Sequence, residues 1–403
     1  MISDLNEIIS LNARGMKKSA IRELLKLTND PEIISFAGGL PSPDTFPKLE
    51  LVDIVRKVIE EDGDKALQYG TTEGDEKLRE LICENYREEG FDITVKNILV
   101  TTASQQGLDL LAKVFVNRGD KVLVGLPSYL GGLGAFNAYG ADMIGVKFDE
   151  GGMRTDDVRK ILTELKAKGE KPKFIYIIPE FQNPAGVTMP ESRRIEMLKI
   201  AREFDILIVE DSPYKQIRFE GEDQKSFYAL DNDGQVINLG TFSKIFVPGF
   251  RIGWVIAHED ILDKFIKAKQ STDLCTSPFV QKIAARYIEE GHFARYLKNT
   301  IQSYKEKRDV MIAAFEKYMP EGVKWTVPEG GLFLFVTLPE YMDAEKLFLK
   351  AIEKKVAYVV GSVFHCDGSG RNTMRINFSY VSKEKNLEGV KRLAQVIKEE
   401  IRQ

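Results

Sequence analysis

The chain has 403 residues, 43% of them hydrophobic and 29% charged, with a net charge of −4. That is the balance of an ordinary globular protein, long enough for roughly two or three domains. It offers no bulk attraction to nucleic acid or anionic lipid, and no apolar run approaches the roughly 20 residues of a membrane span.

The first ten residues lack the basic and apolar regions of a signal peptide, so a cytoplasmic protein is expected. An amphipathic helix is expected near 18–28, followed by the stretch SFAGGLPSPDTFP (35–47), whose glycines and prolines mark a loop. Short Val- and Ile-rich runs then occur at 97–102, 121–126, 141–148, 173–179, 205–211, 235–240 and 251–257. Helical patterns lie between several of them, at 104–117, 155–168 and 190–203. Strands apolar on both faces and joined by helices predict a mostly parallel central sheet covered on both sides, an α/β architecture. Beyond residue 257 the pattern turns helical, with one long helix over about 290–318. Strand candidates at 331–338, 356–361 and 373–380 then predict a terminal α+β segment. The expected division is a large α/β domain over 46–290 and a smaller one built from 1–45 and 291–403.

In such sheets functional groups collect beyond the carboxyl ends of the strands. Five groups fall there: Ala103-Ser104-Gln105, Pro127-Ser128-Tyr129, Asn183-Pro184, Asp211, and Thr241 with Ser243 and Lys244. Cys83, Cys275 and Cys366 are scattered, and His258, His292 and His365 form no ligand-spaced pair. No disulfide framework and no metal site is expected. The chemistry therefore falls to lysine, aspartate, tyrosine and arginine, or to a cofactor.

Lys244, partly buried beside a cation such as Arg251, would have a lowered pKa and act as a nucleophile able to form a Schiff base. Pyridoxal phosphate uses that bond and needs an acid opposite its ring nitrogen, which Asp211 could supply. Tyr214 and Asn183 could contact the phenolic oxygen, and Tyr129 could stack on the ring. Ser104 and Gln105 open a helix whose free N–H groups favour an anion. Arg251, Thr241 and Ser243 would add donors. Each residue alone has an ordinary structural reading: a snorkelling lysine, a capping aspartate, a turn, a core tyrosine. A Ser-x-x-Lys hydrolase dyad is the other catalytic option, but Thr241 holds its serine position.

The motifs SFAGGLPSPDTFP, LQYGTTEG, TTASQQGLDL, PSY, PEFQNPAG, VEDSPY, GTFSKIFVPGFRIGW and MRINFSY run in order along nearly the whole chain. With them the sequence resembles the fold-type I pyridoxal-phosphate aminotransferases of class I/II. It is most similar to the branch of 2-aminoadipate, kynurenine and multi-substrate aromatic aminotransferases. The resemblance implies the three-layer fold of aspartate aminotransferase. It implies that Lys244 carries the cofactor and shuttles the proton, that Asp211 pairs with the ring nitrogen, and that Tyr214 and Asn183 contact the phenolic oxygen. Tyr129 would stack, and Ser104, Gln105, Thr241, Ser243 and Arg251 would hold the phosphate. Arg375 would clamp the substrate α-carboxylate with Asn183, and Gly38 and Gly39 would leave room for the side chain. Tyr69 would reach the phosphate of a partner subunit, which implies a homodimer with shared sites. Thr241 stands where many members have serine, and Ala103 where several have glycine.

The reaction implied is transfer of an amino group from an L-amino acid, such as glutamate, 2-aminoadipate or an aromatic amino acid, to a 2-oxo acid such as 2-oxoglutarate. Arg22 could read the distal carboxylate of an acidic substrate, or could sit on a solvated helix face; Arg14 is a weaker candidate. The same fold also supports lyases and decarboxylases, and serves as a non-catalytic effector module in some regulators. The intact Lys244, Asp211 and Arg375 favour the enzyme, as does the expectation that no DNA-binding domain precedes them.

Overall fold

The computed structural model describes residues 7–16 and 30–401. The helix expected near 18–28 and Arg22 lie outside the described residues. In chain order the first strands are β1 (Ile34–Ser35), β2 (Ile98–Thr102), β3 (Lys121–Leu126), β4 (Asp142–Asp149), β5 (Gly152–Met153), β6 (Phe174–Ile177) and β7 (Leu207–Asp211). They are followed by β8 (Val236–Thr241), β9 (Ile252–Ile256), β10 (Lys324–Trp325), β11 (Phe333–Thr337), β12 (Val356–Ala357), β13 (Val359–Val360) and β14 (Thr373–Asn377).

The central sheet has eight strands in the order β2-β9-β8-β7-β6-β3-β4-β5. The inner pairs from β4 to β8 are parallel, with Leu123 opposite Ile175, Tyr176 opposite Val209 and Asp211 opposite Leu239. All four residues of β6 and all six of β8 are buried, as expected of strands covered on both faces. Alternate residues serve different cores. Phe174, Tyr176, Val209, Ile237 and Leu239 pack with Leu108 and Leu111 of the helix Ala103–Phe115. Ile175, Ile177, Ile208 and Val236 pack with Leu162 of Thr155–Ala167 and Leu198 of Glu191–Phe204. This is the three-layer α/β arrangement expected, and the period of two puts Tyr176, Asp211 and Thr241 on one face.

Two strands run against the others, the short edge strand β5, antiparallel to β4, and β9. β9 is antiparallel to both β8 and β2. A parallel return needs a crossover of roughly a dozen residues or more, and only residues 242–251 separate β8 from β9. The chain turns back instead, so Lys244 and Arg251 lie at the same end of the sheet. Thr102 pairs with Ile252, which brings the end of β2 there too.

A second sheet, β10-β11-β14-β13, is antiparallel throughout. The run expected as one strand at 356–361 is divided: β12 pairs in parallel with β1, and β13 pairs with β14. Tyr358 between them is fully buried, and its hydroxyl donates to the Ala344 carbonyl at 2.6 Å. The break allows one short segment to join two sheets. It also ties the loop after β1 to β14: Asn377 N–H donates to the Phe36 carbonyl at 3.0 Å. The long helix is His292–Tyr318, close to the stretch expected.

Candidate active site

The strand ends at 102, 126, 211 and 241 converge on a cavity of about 270 Å³. Its wall includes Ala103, Ser104, Gln105, Tyr129, Asp211, Tyr214, Thr241, Ser243, Lys244 and Arg251. Nine of the residues expected from sequence therefore meet in one place, and Asn183 joins them through Tyr214.

Lys244 is half-buried on this wall, and its amine donates to the Gly39 carbonyl at 2.7 Å. Its pKa falls to about 8, first because protein replaces water around the amine, then because Arg375 and Arg251 add positive charge nearby. The sequence suggested burial and Arg251; the Arg375 contribution, larger than that of Arg251, was not anticipated.

Asp211 ends β7 and is almost wholly buried. Its Oδ2 accepts a hydrogen bond from the Tyr176 hydroxyl at 2.6 Å. Its Oδ1 is buried and has no partner among the described residues. Burial raises its pKa to about 6, with the Tyr176 bond opposing that rise. A buried carboxylate oxygen without a donor costs free energy, so this one is poised for a donor entering the cavity. Tyr176 was not anticipated from sequence. Its signal was parity: it lies opposite Val209, two residues before Asp211 on the same face.

From Asp211 the polar groups continue outward. Asn183 Nδ2 donates to the Tyr214 hydroxyl oxygen at 3.1 Å. Asn183 Oδ1 accepts from Arg375 Nη1 at 2.9 Å, and Arg375 Nη2 donates to the Ala37 carbonyl at 2.9 Å. Burial pushes the Tyr214 hydroxyl well above its ordinary pKa, so it remains a donor at neutral pH. Arg375 is 2% exposed and flanked by the rings of Phe333 and Phe364, 4.3 and 5.0 Å from its guanidinium carbon. Burial lowers its pKa to about 10, which leaves it charged at neutral pH. Its Nε is buried and unpartnered, and no carboxylate among the described residues pairs with it. Phe333, Phe364 and the Ala37 carbonyl were not anticipated from sequence. Gly39 faces this group: a Cβ added there would lie 3.9 Å from Arg375 Nη2. Gly38 is buried, and a Cβ on it would meet Leu40 at 3.3 Å.

The opposite end of the cavity is built from donors. The Thr241 hydroxyl lies 2.9 Å from both Ser243 Oγ and the Ile252 carbonyl, and it accepts from the Ser243 N–H at 3.0 Å. Arg251 Nη1 donates to the Pro248 carbonyl at 3.0 Å and is 3.4 Å from Ser243 Oγ. Ser104 is the second residue of Ala103–Phe115, in its first turn, and Gln105 Nε2 donates to the Gly131 carbonyl at 3.0 Å. Tyr129 caps the next helix, Leu130–Ala138, beside Gly131, where a Cβ would collide with its ring at 2.4 Å. Tyr69 is 79% exposed and stands apart from the cavity within this chain. Arg14 lies in the last turn of the short helix Leu11–Gly15.

Among the described residues no group of acidic, histidine and cysteine side chains has metal-ligand geometry. No helix among them is long and apolar enough to cross a membrane.

The family model "Aminotransferase class I and II" matches residues 33–393. The aromatic-amino-acid aminotransferase 1 of Thermococcus litoralis is 48% identical, over 99% of this chain and 96% of its own. The 2-aminoadipate transaminase of Thermus thermophilus is 38% identical, over 98% of this chain and 97% of its own. The crystal structure of Pyrococcus horikoshii kynurenine aminotransferase in complex with PMP superposes with a TM-score of 0.96 at 48% identity, covering 100% of both chains.

Proposed function

The chain belongs to the class I and II aminotransferases, enzymes that use pyridoxal phosphate to move an amino group between an amino acid and a 2-oxo acid, and on that premise we propose how its residues divide the work. The residues fit the cofactor. Asp211 Oδ1 lacks a donor where a protonated ring nitrogen would give one, and the depressed Lys244 amine faces the same cavity. When bound, pyridoxal phosphate supplies an aldehyde for amine attack and a ring that takes up the electrons left when the α-proton departs.

Lys244 would hold the cofactor through its Nζ, and the same Nζ, when free, would take the α-proton and return one. A pKa near 8 leaves an appreciable neutral fraction at physiological pH, which that role requires. Asp211, kept in place by the Tyr176 hydroxyl, holds the ring-nitrogen proton. Tyr214 and Asn183 donate to the phenolic oxygen, and Tyr129 covers the ring. Ser104, Gln105, Thr241, Ser243 and Arg251 hold the phosphate. Arg375, with Asn183, binds the substrate α-carboxylate, and Gly38 and Gly39 shape the wall beside it. The observation that carries this reading is an unpaired buried carboxylate oxygen and a depressed lysine on the wall of one cavity, with the buried Arg375 linked to that wall through Asn183 and Tyr214.

The amino donors we propose are glutamate, 2-aminoadipate and aromatic amino acids, with 2-oxoglutarate as acceptor. The names of the relatives support this. Arg22, the residue offered as reader of a distal carboxylate, lies outside the described residues. We further propose a homodimer in which Tyr69 serves the partner's site. Its exposure, and that of Leu49, Val52 and Leu67 on or next to the helix Lys48–Ala66, supports this. The reading includes a cytoplasmic, biosynthetic setting. It also includes division into a large domain over 46–290 and a small one from the two chain ends, supported by the confinement of the eight-stranded sheet to residues 98–256.

The test is the visible absorption of the protein with pyridoxal phosphate before and after single amino acids are added. The lysine-linked cofactor band should bleach with glutamate, aminoadipate or an aromatic donor and return with 2-oxoglutarate. A band that forms but that no amino acid converts would favour the lyase, decarboxylase or effector-module reading instead.

A further inference from the structure

The phosphate end of the cavity is made of backbone that residues with side chains rarely adopt. Ala103 has φ of +60° and Arg251 has φ of +54°, both in the left-handed region. Each such residue costs on the order of 1 kcal/mol and persists only where its surroundings over-determine it. The two are joined, because Ala103 N–H donates to the Arg251 carbonyl at 2.9 Å. Gly253 permits the approach, since a Cβ there would lie 2.4 Å from Ser104 N. One flank of the turn is thereby held by β9.

The other flank is held by side chains from a distant part of the chain. Thr102 N–H donates to Gln106 Oε1 at 2.7 Å, and the Thr102 hydroxyl donates to Asp273 Oδ2 at 3.0 Å. Gln106 Nε2 donates to the same Asp273 oxygen at 2.7 Å. Lys269 Nζ, on a fully buried side chain, donates to Gln106 Oε1 at 3.0 Å and to Asp273 Oδ1 at 2.7 Å. Ser104 and Gln105 are bracketed between Thr102 and Gln106, both pinned by this one ion pair. Lys269 also neutralises Asp273, a carboxylate that would otherwise repel an anion bound nearby. No step of the proposed reaction uses either residue.

We propose that Lys269 and Asp273 are positioning residues, which act through Thr102 and Gln106 to hold the Ala103–Gln105 turn in the shape that receives the cofactor phosphate. This rests on the reading of Ser104 as a phosphate ligand. A role confined to packing would affect every ligand of the cavity alike, whereas a role in shaping the cradle is specific to the phosphate.

The experiment is equilibrium binding of pyridoxal 5′-phosphate and of pyridoxal, which lacks the phosphate, to the full-chain apoprotein. It compares wild type, Asp273→Asn, Thr102→Val and Ser104→Ala. The preference for the phosphorylated ligand should fall about tenfold in Asp273→Asn and in Thr102→Val, the scale of one lost hydrogen bond. Affinity for pyridoxal should hardly change. Equal weakening toward both ligands, or no change toward either, would overturn the proposal. If Ser104→Ala lowers the preference while the other two variants keep it, the positioning role alone fails. If Ser104→Ala also keeps it, the phosphate reading fails and the proposal with it. Asp273→Asn is near-isosteric, and Thr102→Val gives the same readout should Asp273→Asn not fold.

Discussion

Arg194 and Arg375 are both fully buried arginines, and the contrast between them separates a charge that serves the fold from one proposed to serve a ligand. Arg194 Nη1 donates to Glu180 at 2.6 Å, with both side chains 1% exposed or less, and to the Lys225 carbonyl, while its Nε donates to the Met189 carbonyl. Its charge is neutralised within the chain. Arg375 meets only neutral oxygens and two phenyl faces; each arginine leaves one buried nitrogen without a partner, so the difference is the carboxylate that Arg194 has and Arg375 lacks among the described residues. A buried cation without an anion is costly unless something outside the chain supplies one. Asp211 repeats the pattern with the opposite sign, one oxygen satisfied by Tyr176 and one left open.

The largest effect belongs to the group between these two. Lys244→Ala should lower kcat on the order of 10⁴-fold or more, because it removes both the nucleophile and the proton carrier. Stopped-flow measurement of the first half-reaction checks this, and near-normal turnover would remove Lys244 from the mechanism. The two arginines should then diverge. Arg194→Met leaves Glu180 buried and unpaired, so it should destabilise the protein by about 3–5 kcal/mol in denaturant titration. The kinetic constants of its folded fraction should be unchanged. Loss of substrate binding without loss of stability in this variant would break the contrast.

A smaller effect sharpens the Asp211 side. Its folded pKa is raised from 3.8 to about 6, so its neutral form favours folding. That contribution is fully present below about pH 3.8 and is lost as pH rises through about 6. Relative to Asp211→Asn, the apoprotein should therefore lose up to about 3 kcal/mol between pH 4 and pH 6. Parallel unfolding curves across that window would show that Asp211 is not held in a desolvated site.

The site was legible where chemistry coincided with strand ends. Lys244, Asp211, Ser104 and Tyr129 each follow a recognisable apolar run, and the run sets both their position and their direction. Groups that depend on long-range register were hidden. Tyr176 reads as one more apolar strand residue until β6 is aligned with β7. Phe333, Phe364 and the Ala37 carbonyl reach Arg375 from segments whose pairing no local pattern encodes. Gln106 and Asp273 are 167 positions apart. The fold was legible for the same reason, since alternation and strand length survive without tertiary context. The reversal of β9 and the split between β12 and β13 were not, because both are set by connection length and neighbouring sheets. The phosphate end differs again: its strain at Ala103 and Arg251 follows from a close approach that only Gly253 allows.

On the proposed reading, Arg375 has no carboxylate partner among the described residues because the substrate α-carboxylate is that partner. The most direct test is the half-reaction of wild type and Arg375→Ala with glutamate and with 4-aminobutyrate, which keeps the distal carboxylate but lacks the α-carboxylate. Arg375→Ala should weaken glutamate by about 10²–10³-fold, the cost of losing one partner of a buried charge pair. The already poor reaction with 4-aminobutyrate should stay as it was. Equal losses on the two amines would contradict the account and leave Arg375 as a structural cation like Arg194.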